Sequence, residues 1–375
     1  MVDIDGLVAE MCKPQQETEG YRTEFDGQTG VIETPRMGQV ESFDDILAEA
    51  GFDPERFEMS GHPTVKTWDA QTPDGVSRLY SYKLSVVPRS ERVNVDDLVA
   101  VIREQAPTAR PQAVGSALPA VIAVGDLQLG KGDGDGSEGI VRRFKQSIDR
   151  AVERIRIDTP NTALIAFLGD CIDGIVSQGG KVIGGADLTL TEQLRLLRHL
   201  FQYAIQEVTK LVPEVHVASV PGNHDETHRQ PVEAPAHDSF AVDSLRAVEE
   251  AYHLAGRTDG LHFHYPEPSE LTIAVTVAGH KFLLAHGHQW RTGKHFDWWK
   301  GQAFSRQTGH DAEYLLAGHR HHFEVDTESD RFFIQVPSME SRSDWWRNKT
   351  GQVGNPGAVL MSPGPHGQPS QLAVI

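Results

Sequence analysis

Short apolar runs rich in leucine and β-branched residues recur through the last two thirds of the chain: Val121-Ile-Ala-Val124, Leu164-Ile-Ala-Phe-Leu168, Val215-His-Val-Ala-Ser-Val220, Phe282-Leu-Leu-Ala285 and Tyr314-Leu-Leu-Ala317. Runs this short, bounded by glycine and polar residues, predict buried strands. Between them the spacing turns helical, with Ile140, Phe144, Ile148, Val152 and Ile155, then Leu194, Leu197, Leu200, Phe201, Ala204 and Val208. Strands alternating with helices predict an α/β fold of sheets flanked by helices. Upstream, Ser42 caps a short helix carrying Phe43, Ile46, Leu47 and Ala50, which Gly51 breaks, and strand-like runs follow around Val65–Trp68 and Leu79–Val87. These predict a small α+β domain over residues 41–102, for which a winged-helix-like arrangement is one option. Residues 1–40 are acidic and without clear periodicity, and are expected to be a mobile tail. The Pro-, Ala- and Gly-rich stretch 103–119 has the composition of a linker, leaving 120–375 as the large domain.

A net charge of −18 argues against a polyanionic partner, but its distribution weakens the objection. Residues 1–60 hold fifteen Asp and Glu against four Lys and Arg, a balance of −11, which leaves −7 for the remainder. Two cysteines, Cys12 and Cys171, stand far apart with no CxxC unit, so neither a disulfide framework nor a thiolate zinc site is expected. The N-terminus has no basic and apolar leader, and no run approaches the roughly 18 apolar residues of a membrane span. A cytoplasmic protein with no membrane contact is expected.

Each apolar run feeds a polar motif. In order these are Asp126-Leu-Gln128, Gly169-Asp170, Gly222-Asn223-His224-Asp225, His286-Gly287-His288 and Gly318-His319-Arg320-His321. Carboxylate, imidazole and amide groups are the ligands that hard-to-borderline divalent cations take, and strand-end loops can aim them at one point. Singly, Gly-Asp or Gly-His carries almost no information. Together, in order and after strands, the five motifs resemble the calcineurin-like metallophosphoesterase superfamily, with its D-x-H, GD-x-x-D, GNH-D/E, H-G and GH-x-H elements, over Val121 to Phe323.

The resemblance implies a four-layer α-β-β-α sandwich carrying two divalent metal ions, manganese first and iron, zinc, nickel or magnesium as alternatives. Asp126 and His321 would hold the first metal, Asn223, His286 and His319 the second, and Asp170 both. Two ions about 3.5–4 Å apart would share a water and use it as a metal-activated hydroxide against phosphorus. His224 would protonate or stabilise the leaving oxygen, and Asp225 would orient it. Where the family has a histidine in the first motif, this chain has Gln128, a weaker neutral ligand. The alternative is therefore a degenerate site on a non-catalytic, nucleic-acid-binding scaffold. Asp173 completes GD-x-x-D and is either support for the site or a solvated residue. His216 and His322 read as ordinary core or surface histidines.

Gly125-Asp-Leu-Gln-Leu-Gly130-Lys131 also satisfies GxxxxGK, but Gly132 follows where a P-loop needs Ser or Thr for magnesium. The Asp133-Gly-Asp135 loop fails the EF-hand spacing. Lys131 is instead a candidate phosphate contact, as are His288 and Arg320. Between 281 and 349, ten Lys and Arg face nine Asp and Glu with five tryptophans interleaved. Trp298, Trp299, Trp345 and Trp346 beside cations suit base stacking along a single strand. Within the superfamily the chain most resembles nucleases of the Mre11 and SbcD type and phage-encoded relatives. That likeness implies DNA exonuclease or endonuclease action, beside an ATPase partner and in the host cytoplasm if phage-encoded. A small-molecule or nucleotide phosphoesterase is the competing reading.

Overall fold

The computed structural model describes residues 3–11, 20–25, 29–40, 42–72, 75–89, 95–104, 111, 115–175, 186–228, 234–341, 348, 351, 354–364 and 367–375. The N-terminal elements are α1 (Ile4–Met11), β1 (Arg22–Phe25), β2 (Gly30–Glu33), α2 (Phe43–Glu49), β3 (Phe57–Thr72), β4 (Gly75–Pro88) and α3 (Val95–Glu104). Then come β5 (Ala120–Val124), α4 (Gly136–Asp158), β6 (Thr162–Phe167), α5 (Leu190–Thr209), β7 (Glu214–Ser219), α6 (Phe240–Ala255) and β8 (Leu261–His264). The last are β9 (Ile273–Val277), β10 (His280–Ala285), α7 (His295–Phe304), β11 (Tyr314–Ala317), β12 (Glu324–Glu328), β13 (Arg331–Gln335), β14 (Val359–Pro363) and β15 (Pro369–Val374).

Two sheets face one another. One has the order β15-β14-β5-β6-β7-β8 and the other β12-β13-β11-β10-β9. Strands β5 to β8 run parallel, as do β10, β11 and β13, so their carboxyl ends gather on one side. Alternate residues of the apolar runs fill two different cores. Val121, Ala123, Leu164 and Ala166 meet Phe282, Leu284, Leu316 and Ile334 between the sheets. Their neighbours Ile122, Val124, Ile165 and Phe167 meet Phe144, Ile148, Leu197, Leu200 and Phe201 of α4 and α5 on the outer face. A strand buried on both faces needs apolar residues at every position, which is why these runs are continuous rather than alternating. Helix α7 covers the outer face of the second sheet, where Trp299 packs on Leu283, Leu315 and Phe333. The layers are thus α-β-β-α, the metallophosphoesterase arrangement.

The small N-terminal sheet has the order β1-β2-β4-β3, and α2 closes its core with Ile46 and Leu47 against Ile32, Leu84 and Val86. Ser42 caps α2 by accepting from the Asp44 N–H at 3.1 Å. The mobile-tail expectation for 1–40 is corrected where those residues are described. Ile4, Val8 and Met11 are buried in the core that α4 and α5 share, and β1 and β2 join the sheet. An eight-residue helix is too short to persist alone, and its i, i+4, i+7 stripe offers only three apolar residues, so no periodicity stood out. Helix α3, which runs from the end of the segment assigned to the small domain into the first two residues of the expected linker, instead buries Leu98, Val99 and Ile102 on the large domain's helical layer. No helix-turn-helix is formed among the described residues, where α2 is a single seven-residue helix against a long β3-β4 hairpin. Among the described residues no helix is long and apolar enough to cross a membrane.

Candidate metal centre

All five motifs lie just past the carboxyl ends of parallel strands. Register brings Val124 beside Phe167, Phe167 beside Ser219, and Ala285 beside Ala317, so the loops leave their sheets side by side. The loops then press together. A Cβ on Gly222 would stand 2.0 Å from the Asp170 backbone nitrogen, and one on Gly318 would stand 2.6 Å from Asp126 Oδ2. Only glycine admits that approach, which explains the glycines in the two motifs. Asp126, Gln128, Asp170, His319 and His321 all adopt left-handed backbone conformations, with φ between 48° and 73°. Non-glycine residues avoid that region unless their surroundings over-determine it, and such strain gathers at functional sites.

Two groups of donors converge. In the first, His321 Nε2 lies 3.1 Å from Asp126 Oδ1, and Gln128 Nε2 lies 3.4 Å from the same ring nitrogen. In the second, His286 Nε2 lies 3.0 Å from Asp170 Oδ2 and 3.2 Å from Asn223 Oδ1, with the His319 ring 4.9 Å away, centroid to centroid. The ligand atoms of Asp170, His286 and His319 all fall within 4.8 Å of one another. The two groups are stitched by backbone. Gln128 N–H donates to the Asp170 carbonyl at 2.9 Å, and His319 N–H donates to Asp126 Oδ2 at 2.6 Å.

The donors fit a cation. Asp126 Oδ1 is fully buried and receives no hydrogen bond, although His321 Nε2 stands 3.1 Å away. A buried carboxylate oxygen without a donor is costly, and close approach without hydrogen-bond geometry suits two ligands of one ion. His286 donates its Nδ1–H to the Leu168 carbonyl at 2.7 Å, which turns Nε2 inward. With only protein around it, burial pushes His286 down but the Asp170 charge and hydrogen bond outweigh that, raising it to about 9. Asp170 is held well below the usual carboxylate range. Burial opposes that, and the charges of His286 and His224 overcome it. His319 is pushed down to about 4 by burial and by His286, so its imidazole is neutral and free to bind a metal.

His224 stands at the edge of the pair. Its N–H donates to Asp170 Oδ1 at 2.7 Å, its Nε2 lies 4.0 Å from Asp170 Oδ2, and its Nδ1 lies 3.1 Å from the Asp173 carbonyl and 3.4 Å from Asp173 Oδ1. Burial would lower its pKa, but Asp170 and then Asp173 raise it to about 9. Asp173, 4% exposed, is therefore the residue that orients this imidazole. The assignment of that task to Asp225 is corrected. Asp225 is fully buried and accepts from the backbone N–H of Cys171 at 2.9 Å, Ile172 at 3.3 Å and Gly222 at 2.9 Å, pinning the second motif to the third.

Glu340 was not signalled by the sequence. It follows β13 in Ser338-Met-Glu340, accepts from His321 Nδ1 at 2.5 Å, and forms an ion pair with Lys131. Burial raises the Glu340 carboxyl, but His321 and then Lys131 bring it down to about 2. Lys131 also donates to Gln128 Oε1 at 3.1 Å, so it is engaged in holding the first donor group rather than presented outward. A half-turn of the Gln128 amide would offer Oε1 to an ion at the loss of that bond.

The substrate-contact candidates divide. The His288 ring is half-buried, 5.3 Å from His286 and 6.1 Å from His319. Arg320 donates to the Trp290 carbonyl at 2.7 Å. Trp299 is 1% exposed, donates to the Gly309 carbonyl and lies under the Arg331 guanidinium, so it is core and not a stacking surface. Trp298 is half-buried against Trp290, 4.7 Å between rings. Trp345 and Trp346 lie outside the described residues.

Among solved structures, the chain is similar to a conserved uncharacterised protein of Streptococcus pneumoniae TIGR4 described as a predicted phosphoesterase, at 12% identity over 66% of this chain and 85% of that one, TM-score 0.32. It is similar to a novel archaeal phosphodiesterase at 13% identity, over 68% and 99%, TM-score 0.32. It is also similar to Vps29 of Entamoeba histolytica complexed with zinc at 15% identity, over 68% and 88%, TM-score 0.31. No curated protein matches it. The calcineurin-like phosphoesterase family model matches residues 119–367, a span that takes in every strand of the two sheets except β15 and every converging donor, and on that match the chain belongs to the calcineurin-like phosphoesterase family, whose members hydrolyse phosphoesters at a divalent metal centre.

Proposed function

We propose that this chain is a two-metal phosphodiesterase and that DNA is its substrate class. The observation that carries the first half is the pair of donor groups, Asp126, Gln128 and His321 on one side and Asn223, His286 and His319 on the other, with Asp170 between them. Two divalent ions held there would neutralise the substrate phosphate and make a water acidic enough to attack it at neutral pH. The chain's own groups supply the rest. Asp170 spends Oδ1 on the His224 N–H and keeps Oδ2 directed inward. His224, which Asp170 and Asp173 raise against the effect of burial and which Asp173 steadies, is positioned to give a proton to the leaving oxygen. Leu168 and Glu340 fix the tautomers and ring directions of His286 and His321.

A polymeric substrate is supported by the segment after His288, where Arg291, Lys294, Lys300 and Arg306 are exposed around α7. Lys294 and Lys300 are already paired with Asp297 and Glu328, so attraction for a phosphate backbone falls mainly to the two arginines. The finer likeness to nucleases of the Mre11 and SbcD type belongs to this proposal. A small phosphoester is the second reading, favoured by the net charge of −18. The test is hydrolysis of end-labelled single- and double-stranded DNA and of bis(p-nitrophenyl) phosphate, with manganese or chelator and with Asp170→Asn as control. Manganese-dependent cleavage of DNA, absent from the variant, is expected. Hydrolysis of the small ester with DNA intact would replace the nuclease reading, and no hydrolysis of either would overturn the enzyme itself.

A further inference from the structure

A second cluster of ligand side chains lies on a different part of the fold. Strands β7 and β8 run parallel at the edge of the six-stranded sheet, with His216 paired to His262 and Ala218 to His264. Side chains alternate along a strand, so Glu214, His216, His262 and His264 share one face. It is the face that bears the inter-sheet core at Ala218 and Val220. The donors of the metal centre follow the carboxyl end of β7, and Val220 alone is roughly 13 Å of strand beyond His216.

We propose that Glu214, His216 and His262 form a separate site for a late first-row divalent cation such as zinc. Glu214 Oε1 lies 3.2 Å from His216 Nε2 and 3.5 Å from His262 Nε2, and all three ligand atoms lie within 4.8 Å of one another. Ligands bound tetrahedrally at zinc's usual bond lengths of about 2.0–2.2 Å stand roughly 3.3–3.5 Å apart, so two of the three spacings already match. The two rings lie nearly parallel, 4.8 Å between centroids and 25° between planes. Two imidazoles and one carboxylate select zinc, copper, nickel or cobalt over magnesium or calcium, and leave a coordination position open. Glu214 and His262 are about half exposed, so the site is reachable from solvent.

His264 is the positioning residue. His216 Nδ1 and His264 Nε2 are 2.8 Å apart. A metal on His216 Nε2 requires the proton on Nδ1, and a neutral His264 accepts it, the arrangement that orients most metal-bound histidines.

The experiment is to count zinc equivalents bound by the full chain, titrated against a chromophoric chelator, in wild type, His262→Ala and Glu214→Gln. Each variant should hold one equivalent fewer than wild type while hydrolysing bis(p-nitrophenyl) phosphate at the wild-type rate. His264→Phe should weaken that equivalent about 10–100-fold without removing it. Both altered ligands are exposed, and circular dichroism would confirm that each variant folds. Equal zinc counts in wild type and both variants would overturn the site, whatever the outcome at the Asp170 centre.

Discussion

Replacing Glu340 by glutamine isolates the contribution of a residue that touches no reacting atom. The exchange keeps shape and one acceptor oxygen but removes the charge that His321 Nδ1 meets at 2.5 Å and that pairs with Lys131. Both side chains of the Glu340–Lys131 pair are mostly buried, 11% and 17% exposed, so little solvent screens the loss. Two effects then act in one direction. His321 loses a charge-assisted hydrogen bond, which is roughly twice as strong as a neutral one, and becomes a poorer ligand. Lys131 keeps its charge beside the first donor group with only Gln128 Oε1 to meet it. Loss of such a supporting partner typically costs about 10–100-fold in metal affinity, or about 1.4–2.8 kcal/mol. Calorimetric manganese titration should show one of two equivalents weakened by that factor and the other unchanged, with half-activation of hydrolysis shifted in step. The double variant Lys131→Met with Glu340→Gln should recover part of the loss, because the stranded charge is gone. Metal affinity unchanged in Glu340→Gln would refute the role given to this network.

Three further outcomes follow from the geometry. His224→Ala should keep full metal content yet slow hydrolysis roughly 10²–10⁴-fold, with a smaller loss for a p-nitrophenolate leaving group that needs no proton; loss of metal would contradict the acid role. Gln128→His, restoring imidazole, should tighten the first metal equivalent in the same titration. His199 is held at about 4, against 6.5 when free, by burial and then by Arg195. The unfolded chain therefore takes up the proton first on acidification, and the fold loses stability from pH 6.5 down to 4, by about 3 kcal/mol in full. Urea unfolding across that range should show His199→Phe lacking this slope.

What was legible in the sequence was local. Strands buried on both faces must be apolar throughout, so β5, β6, β11 and the carboxyl-terminal halves of β7 and β10 could be located directly, and the ligand motifs follow from chain order at their ends. The helical stripes of α4 and α5 were equally visible because each supplies five or six apolar positions. Partners brought in from afar carried no local mark. Glu340 reaches His321 after an intervening hairpin, and Asp173 rather than Asp225 meets His224 because the second motif's loop folds under the third. Trp299 looked like an exposed aromatic beside cations, yet α7 turns it onto the sheet. Helix α1 buries only Ile4, Val8 and Met11, enough to dock on α4 and α5 but, over eight residues, too short a stripe to register as a pattern.

The central claim is that Asp170 sits between two metal ions, and the most direct measurement is anomalous diffraction from crystals of the protein soaked in manganese. Two peaks about 3.5–4 Å apart are expected, both within bonding distance of Asp170, one also reaching Asp126 and His321 and the other His286 and His319. A single peak on the His286 side, or none, would contradict the two-metal account and return Gln128 to the status of a lost ligand.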